Sequence, residues 1–154
     1  THLTNKIVLE ALKNNEIKEF NKNKIIKPEQ RYGKDTRFDF LIDQRGKKSF
    51  IEVKNVTLSR KKNLAEFPDA MTSRGAKHIK DLINARQNGF NSYLFFVVQR
   101  NDCNHFSVAS DIDPEYSKLL TLAYKKKVKI LCYDCKFSSK GIKLNNQIKL
   151  QIND

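Results

Sequence analysis

Only five glycines and three prolines occur in 154 residues, which excludes a collagen-like or low-complexity chain. Cysteine is scarce as well. Three residues are an odd number and too few for a disulfide framework, so a reduced, cytoplasmic setting is expected. Long hydrophobic runs are missing. The longest, Tyr93-Leu94-Phe95-Phe96-Val97-Val98, is far short of the roughly 20 residues that cross a bilayer, and no signal-peptide pattern opens the sequence. There is no G-x-x-x-x-G-K, no G-x-G-x-x-G and no Ser-His-Asp context, which removes support for an NTPase, a dinucleotide enzyme or a triad hydrolase. Acidic residues are the last shortage: 17 Asp and Glu face 30 Lys and Arg, a net charge of +13.

That imbalance favours a polyanionic partner, nucleic acid before an anionic membrane surface, because no basic amphipathic helix with an aromatic face stands out. Lysine supplies 23 of the 30 cations and asparagine 15 residues, a composition bias under which many lysines only solvate the surface. The charge is spread along the chain, with runs at Lys22 to Lys27, Arg60-Lys61-Lys62 and Lys125 to Lys129. It suggests a partner without locating a site.

The length fits one domain, 1–154. Thr4 is placed to cap a first helix through about Asn15, burying Ile7, Val8, Ala11 and Leu12. An extended piece at 24–32 contains Pro28 and reads as an edge or bulged strand. Residues 37–42 alternate, with Phe38, Phe40 and Ile42 on one face and Arg37, Asp39 and Leu41 on the other. A turn at 44–47 joins them to a strand at 49–56, giving a hairpin. A loop with Phe67-Pro68-Asp69 leads to a helix at 72–88. A buried strand follows at 92–99, then a helix from Asp113-Pro114 to about Lys126 and a strand at 128–133. Two weak segments, 141–144 and 147–152, read as a terminal hairpin. The predicted class is α/β, a mixed sheet flanked by helices.

The hairpin carries the chemistry. Glu52 and Lys54 project on one face of their strand while Val53 points to the core. Pairing across the turn brings Asp39 near Glu52, and two carboxylates so placed can share a cation. Hard oxygen donors, with a backbone carbonyl such as that of Val53, suit Mg²⁺ or Mn²⁺. Such an ion lowers the pKa of a water and neutralises charge on a phosphodiester, with Lys54 orienting the water or steadying the phosphate. The other reading of these residues is an amphipathic hairpin whose Glu and Lys face solvent.

The order of Glu10 on a first helix, then Asp39, then Glu52-Val53-Lys54 resembles the PD-(D/E)xK nuclease superfamily. More specifically, the chain resembles the sugar fermentation stimulation protein A family. The segments that carry the likeness are Arg37-Phe38-Asp39-Phe40-Leu41, Ile51 through Leu58, Phe67-Pro68-Asp69-Ala70 with Thr72 through His78, Phe95 through Arg100 with Asp102, and Ile112-Asp113-Pro114. The resemblance implies a restriction-endonuclease-like core that binds DNA, with Asp39, Glu52 and Lys54 at the catalytic positions. It also implies an OB-like domain N-terminal to this region; the sequence begins where the nuclease-like part is expected to start, either as an excerpt or as a protein without that module. Two functions stay open: metal-dependent hydrolysis of DNA, and a non-cleaving DNA-binding regulator of sugar-utilisation genes. An RNA substrate and a homodimer are open as well.

By the same likeness Glu10 joins Asp39, Glu52 and Val53 at the metal, and Glu29 reaches the site from the preceding strand. Without it, Glu10 is an exposed partner of Lys6. Arg74 and Lys77, early in the second helix, are expected to bind phosphate, with His78 as a packed or capping residue. Arg37 either pairs with Asp39 or touches phosphate. Arg60 and Lys61 are assigned to DNA contact or to a solvated loop. Cys132 and Cys135 with Cys103 and His105 offer a zinc set, but buried structural cysteines fit the pattern better.

Overall fold

The computed structural model describes residues 2–20 and 23–152, so Lys22 of the first basic run lies outside the described residues. Helix α1 spans His2–Lys13, and strands β1 (Ile25–Tyr32), β2 (Thr36–Gln44) and β3 (Lys47–Val56) follow. Next come β4 (Leu58–Lys61), β5 (Asn63–Phe67), α2 (Ser73–Gln87), β6 (Asn91–Val98) and β7 (Cys103–Val108). The chain continues through α3 (Pro114–Lys125), β8 (Lys129–Ser138), β9 (Gly141–Gln147) and β10 (Lys149–Gln151). The main sheet has six strands in the order β1-β2-β3-β6-β8-β9. Its β3, β6 and β8 are parallel, and its outer pairs are antiparallel. A second sheet of four strands runs β10-β7-β5-β4.

The β2–β3 hairpin closes as expected, through Arg45 and Gly46 in the left-handed region, with Asp43 Oδ1 accepting from Gly46 N–H at 2.8 Å. Two positive φ values in a row give this turn the twist of the strands it joins. At the centre of the sheet β6 is apolar on both faces. Phe95 and Val97 meet α1 through Ile7, Val8, Ala11 and Leu12, while Leu94, Phe96 and Val98 belong to the core under α2 and α3. This is why residues 92–99 read as one continuous hydrophobic run.

Helices α2 and α3 are tied at their N-termini. Thr72 caps α2, its Oγ1 accepting from Gly75 N–H at 2.8 Å. Asp113 caps α3 through Tyr116 N–H at 3.0 Å, and its other oxygen accepts from Thr72 N–H at 2.9 Å. Gly75 is required by this approach, since a Cβ there would stand 2.8 Å from Thr72 Cγ2 and 3.0 Å from Tyr116 Cε2. One buried carboxylate therefore fixes where α2 begins.

Four expectations are corrected. Thr4 lies within α1 rather than capping it, and its buried hydroxyl accepts from Gln99 Nε2 at 2.8 Å. The stretch 57–71 is not all loop, because β4 and β5 occupy most of it, and β7 is a further strand. These strands are short and carry Asn, Glu and Lys, so they lack a hydrophobic period. No terminal hairpin forms: β9 pairs with β8, whereas β10 crosses to pair parallel with β7 through Lys149↔His105. Finally, Phe38 and Phe40 do not share a face, Phe38 joining the α2–α3 core and Phe40 the α1 core. The cysteines are buried and free, Cys103 and Cys132 in one core and Cys135 in the other.

Phe96 is fully buried and its ring packs 4.5 Å from that of Phe106 and 5.4 Å from that of Phe67, measured between centroids. Phe96→Ala is expected to cost about 3–5 kcal/mol in urea unfolding, whereas Phe137→Ala at the exposed end of β8 should stay within about 0.5 kcal/mol of wild type.

Candidate functional site

The phase change between Phe38 and Phe40 has a local cause. The β2–β3 pairing ends at Phe40↔Ile51, and one further step in the same register sets Asp39 opposite Glu52. On the other side of β2, pairing skips the position where Glu29, with φ of +52°, faces Asp39. The strands part here, and the Val53 N–H donates to Asp39 Oδ2 at 2.8 Å. Asn5, in the first turns of α1, donates to Asp39 Oδ1 at 3.0 Å.

Glu52 is held differently. Its Oε2 lies 2.9 Å from His78 Nδ1 and 3.3 Å from Lys54 Nζ, and Lys54 Nζ lies 2.8 Å from His78 Nδ1. A single ring nitrogen plays one hydrogen-bonding role at a time, donor to Glu52 or acceptor from Lys54. The other oxygen, Oε1, is buried with no N–H or hydroxyl donor among the described residues, and the Asp39 carboxyl group, when protonated, is within hydrogen-bond reach of Glu52. The Tyr116 hydroxyl is also buried, with no hydrogen-bond partner among the described residues. Burial pushes its pKa up, with the charges of Glu52 and Asp113 adding to the effect.

The two carboxyl groups are driven apart in acidity. Burial, then the neighbouring Glu52 charge, pushes Asp39 up from 3.8 to about 6, against the Val53 and Asn5 hydrogen bonds. Burial also opposes ionisation of Glu52, but the His78 hydrogen bond and the Lys54 charge outweigh it and hold Glu52 below its ordinary value. Of the two, Asp39 is the group that takes up a proton first as pH falls, and Glu52 the one held as an anion.

Around these groups opens a cleft of about 590 Å³, walled by Asn5 of α1, Glu29 of β1, and Arg74 and His78 of α2. Of the residues singled out from sequence, Asp39, Glu52, Val53, Lys54, Glu29 and Arg74 meet here. Glu10 does not line the cleft. It is exposed on α1, where Asn5 is the residue that touches Asp39. Arg37 is exposed beside Lys34 and Asp35 at a shallow site on the β1–β2 turn. Lys77 turns to Thr36 Oγ1 at 2.7 Å and Asp81 at 3.0 Å. Arg60 forks between Glu66 at 2.8 Å and Asp111 at 2.7 Å on the second sheet, with Lys61 beside it. Arg74, by contrast, has no hydrogen-bond or ion-pair partner among the described residues, and its side chain is exposed at the cleft wall.

Sequence reasoning missed Asn5 and the bond from His78 to Glu52. Neither carries a local signal, since each matters only through a partner at least 26 residues away in the chain. The C-x₂-C with Cys103 and His105 does not form a metal group, and no cluster of three or more His, Cys, Asp or Glu disposed for a metal occurs among the described residues.

Fold and site together define a mixed α/β domain with a pair of carboxylates, Glu52 buried and Asp39 half-buried, a lysine and an imidazole at a split in its sheet. The family model described as "Sugar fermentation stimulation protein RE domain" matches residues 2–141. The chain belongs to the sugar fermentation stimulation protein family. It is 49% identical over 150 residues to a sugar fermentation stimulation protein homolog of Pelagibacter ubique, covering 97% of this chain, and 40% identical over 152 residues to one of Bartonella henselae, covering 98%. It spans 65% of the length of each. A solved structure, that of Pyrococcus furiosus SfsA in complex with Ca²⁺, is similar at a TM-score of 0.90 and 26% identity, over 98% of this chain and 65% of that one. No helix among the described residues is long and apolar enough to cross a membrane.

The raised pKa of Asp39 makes a stability prediction with a definite sign. In strong acid the group is protonated in both folded and unfolded chains. As pH rises from 3.8 to about 6 the unfolded chain ionises first, so this favourable contribution is lost across that window. Asp39→Asn, which cannot ionise, should therefore gain stability relative to wild type between about pH 4 and about pH 7 in chelator-containing buffer. Urea unfolding at both pH values measures it, and an unchanged difference would rule out the buried charge as its source.

Proposed function

We propose that this domain binds DNA and hydrolyses its phosphodiester bonds with Mg²⁺ or Mn²⁺, on a restriction-endonuclease-like PD-(D/E)xK core. The observation that carries this reading is Glu52 Oε1, a buried carboxylate oxygen with no N–H or hydroxyl donor among the described residues, on the residue opposite Asp39. Burying an anionic oxygen without a partner is costly, and a hard dication is the partner such oxygens select. Asp39 and Glu52 would hold the ion, with the Val53 carbonyl as a third donor. Glu29, which lines the cleft where Glu10 does not, is the better-placed auxiliary carboxylate. That the similar P. furiosus protein was solved in complex with Ca²⁺ supports an oxygen-donor cation site.

When bound, the ion supplies charge neutralisation at the phosphodiester and acidifies a water. The chain's own residues do the rest. Glu52, kept ionised by His78 and Lys54, is an anion at neutral pH, while Asp39 takes or holds a proton near pH 6. Lys54 places a donor at the cleft floor, where it orients a water or steadies a developing phosphorane. Arg74 sits in the first turn of α2, where free backbone N–H groups already favour phosphate. The +13 charge draws the polyanion in, and the cytoplasm is the setting in which this substrate is met.

One observation favours the rival, a DNA-binding regulator that does not cleave. Glu29, Asp39 and Glu52 all line the cleft, yet no group of three or more His, Cys, Asp or Glu is disposed to hold a metal ion among the described residues. Nicking assays with Mn²⁺ on single-stranded, duplex and branched DNA, and on RNA, separate the two. Asp39→Ala and Lys54→Ala are expected to abolish cleavage while leaving salt-dependent binding. Arg74→Ala should weaken binding and reduce the salt slope by about one. Binding without cation-dependent nicking on any substrate establishes the regulator.

A further inference from the structure

We propose that His78 is a positioning residue for the cation site: its Nδ1–H anchors Glu52 Oε2, so that Oε1 alone is presented toward Asp39. This rests on the cation-dependent reading above and names the residue on which its geometry depends.

The last torsion of a glutamate side chain is broad and roughly two-fold, so its two oxygens exchange places unless something distinguishes them. Here Oε2 takes His78 at 2.9 Å and Lys54 at 3.3 Å, while Oε1 takes none. Lys54 is a poor anchor by itself, since its ammonium ends a flexible four-carbon stem two residues along the same strand. His78 comes from a different element, on a short, stiff side chain that is itself buried. Its helix is fixed by the Thr72 cap, the Asp113 bond to Thr72 N–H and the close fit of Gly75 against Tyr116. The contested Nδ1 is assigned to Glu52 because Oε2 can only accept, whereas Lys54 has Oε2 as an alternative acceptor. Through α2 the orientation of Glu52 is joined to the placement of Arg74, one turn earlier on the same helix.

Two polar variants separate this role from simple burial. The amide nitrogen of Asn falls near the Nδ1 position, whereas that of Gln falls near Nε2. The probe is Mn²⁺ alone, followed by calorimetry and electron paramagnetic resonance on variants whose thermal unfolding shows them folded. His78→Asn should bind Mn²⁺ nearly as wild type does, and His78→Gln about tenfold or more weakly. If the two bind Mn²⁺ equally, whether like wild type or equally weakened, the proposal is overturned. Should His78→Gln not fold, nitrogen-15 spectra of the wild type decide. A proton on Nδ1 supports the proposal, and a proton on Nε2 alone overturns it. Wild type that binds no Mn²⁺ at all removes the cation-dependent reading itself, and this role with it.

Discussion

One hydrogen bond sets the arrangement of the whole site: the Val53 N–H donates to the Asp39 carboxylate. Inside a sheet every backbone donor needs an acceptor, and the neighbouring strand normally supplies one. Here the pairing of β2 with β3 has stopped at Phe40 and Ile51, and a side chain accepts instead. The strands can therefore diverge without leaving a donor orphaned. The gap admits the start of α1, through Asn5, from one direction, and α2, through His78, from another. A continuous ladder would have left no room for either.

Divergence also explains why two like charges stand together. Asp39 and Glu52 are neighbours by register, and burial penalises the ionised form of both. The conflict is eased by unequal support. Glu52 receives an imidazole and an ammonium, while Asp39 receives two neutral donors and rises to about 6. Under the proposed function these two carboxyl groups, one held ionised and one readily protonated, would accept a cation with loss of any proton on Asp39. In the proposed function the surrounding positive charge offsets the repulsion such a nest would exert on a phosphate backbone.

Much of the scaffold serves to place α2. Asp113 caps α3 and bonds the cap residue of α2, and Gly75 lets Tyr116 pack against the first turn. Few of these residues touch the cleft. They decide where Arg74 and His78 stand relative to β3, and so they control the site from outside it.

The hairpin, the central strand, three helices and the clustering of Asp39, Glu52 and Lys54 were legible because each rests on local rules. Alternation puts Glu52 and Lys54 on one face, a two-residue turn fixes the register, and capping residues mark where α2 and α3 begin. The short strands β4, β5, β7 and β10 were not, since strands of three to six residues with polar side chains lack a period and are held by distant partners. The same limit applies to the site. By itself the sequence determined which charged groups share a strand face and that they lie in an apolar sheet. Only the tertiary structure decided that Asn5 rather than Glu10 meets Asp39, that Arg60 and Lys77 spend their charge on nearby carboxylates, and that His78 reaches Glu52. Those choices depend on where separate helices and a second sheet pack, and packing is a property of the whole chain rather than of any window along it.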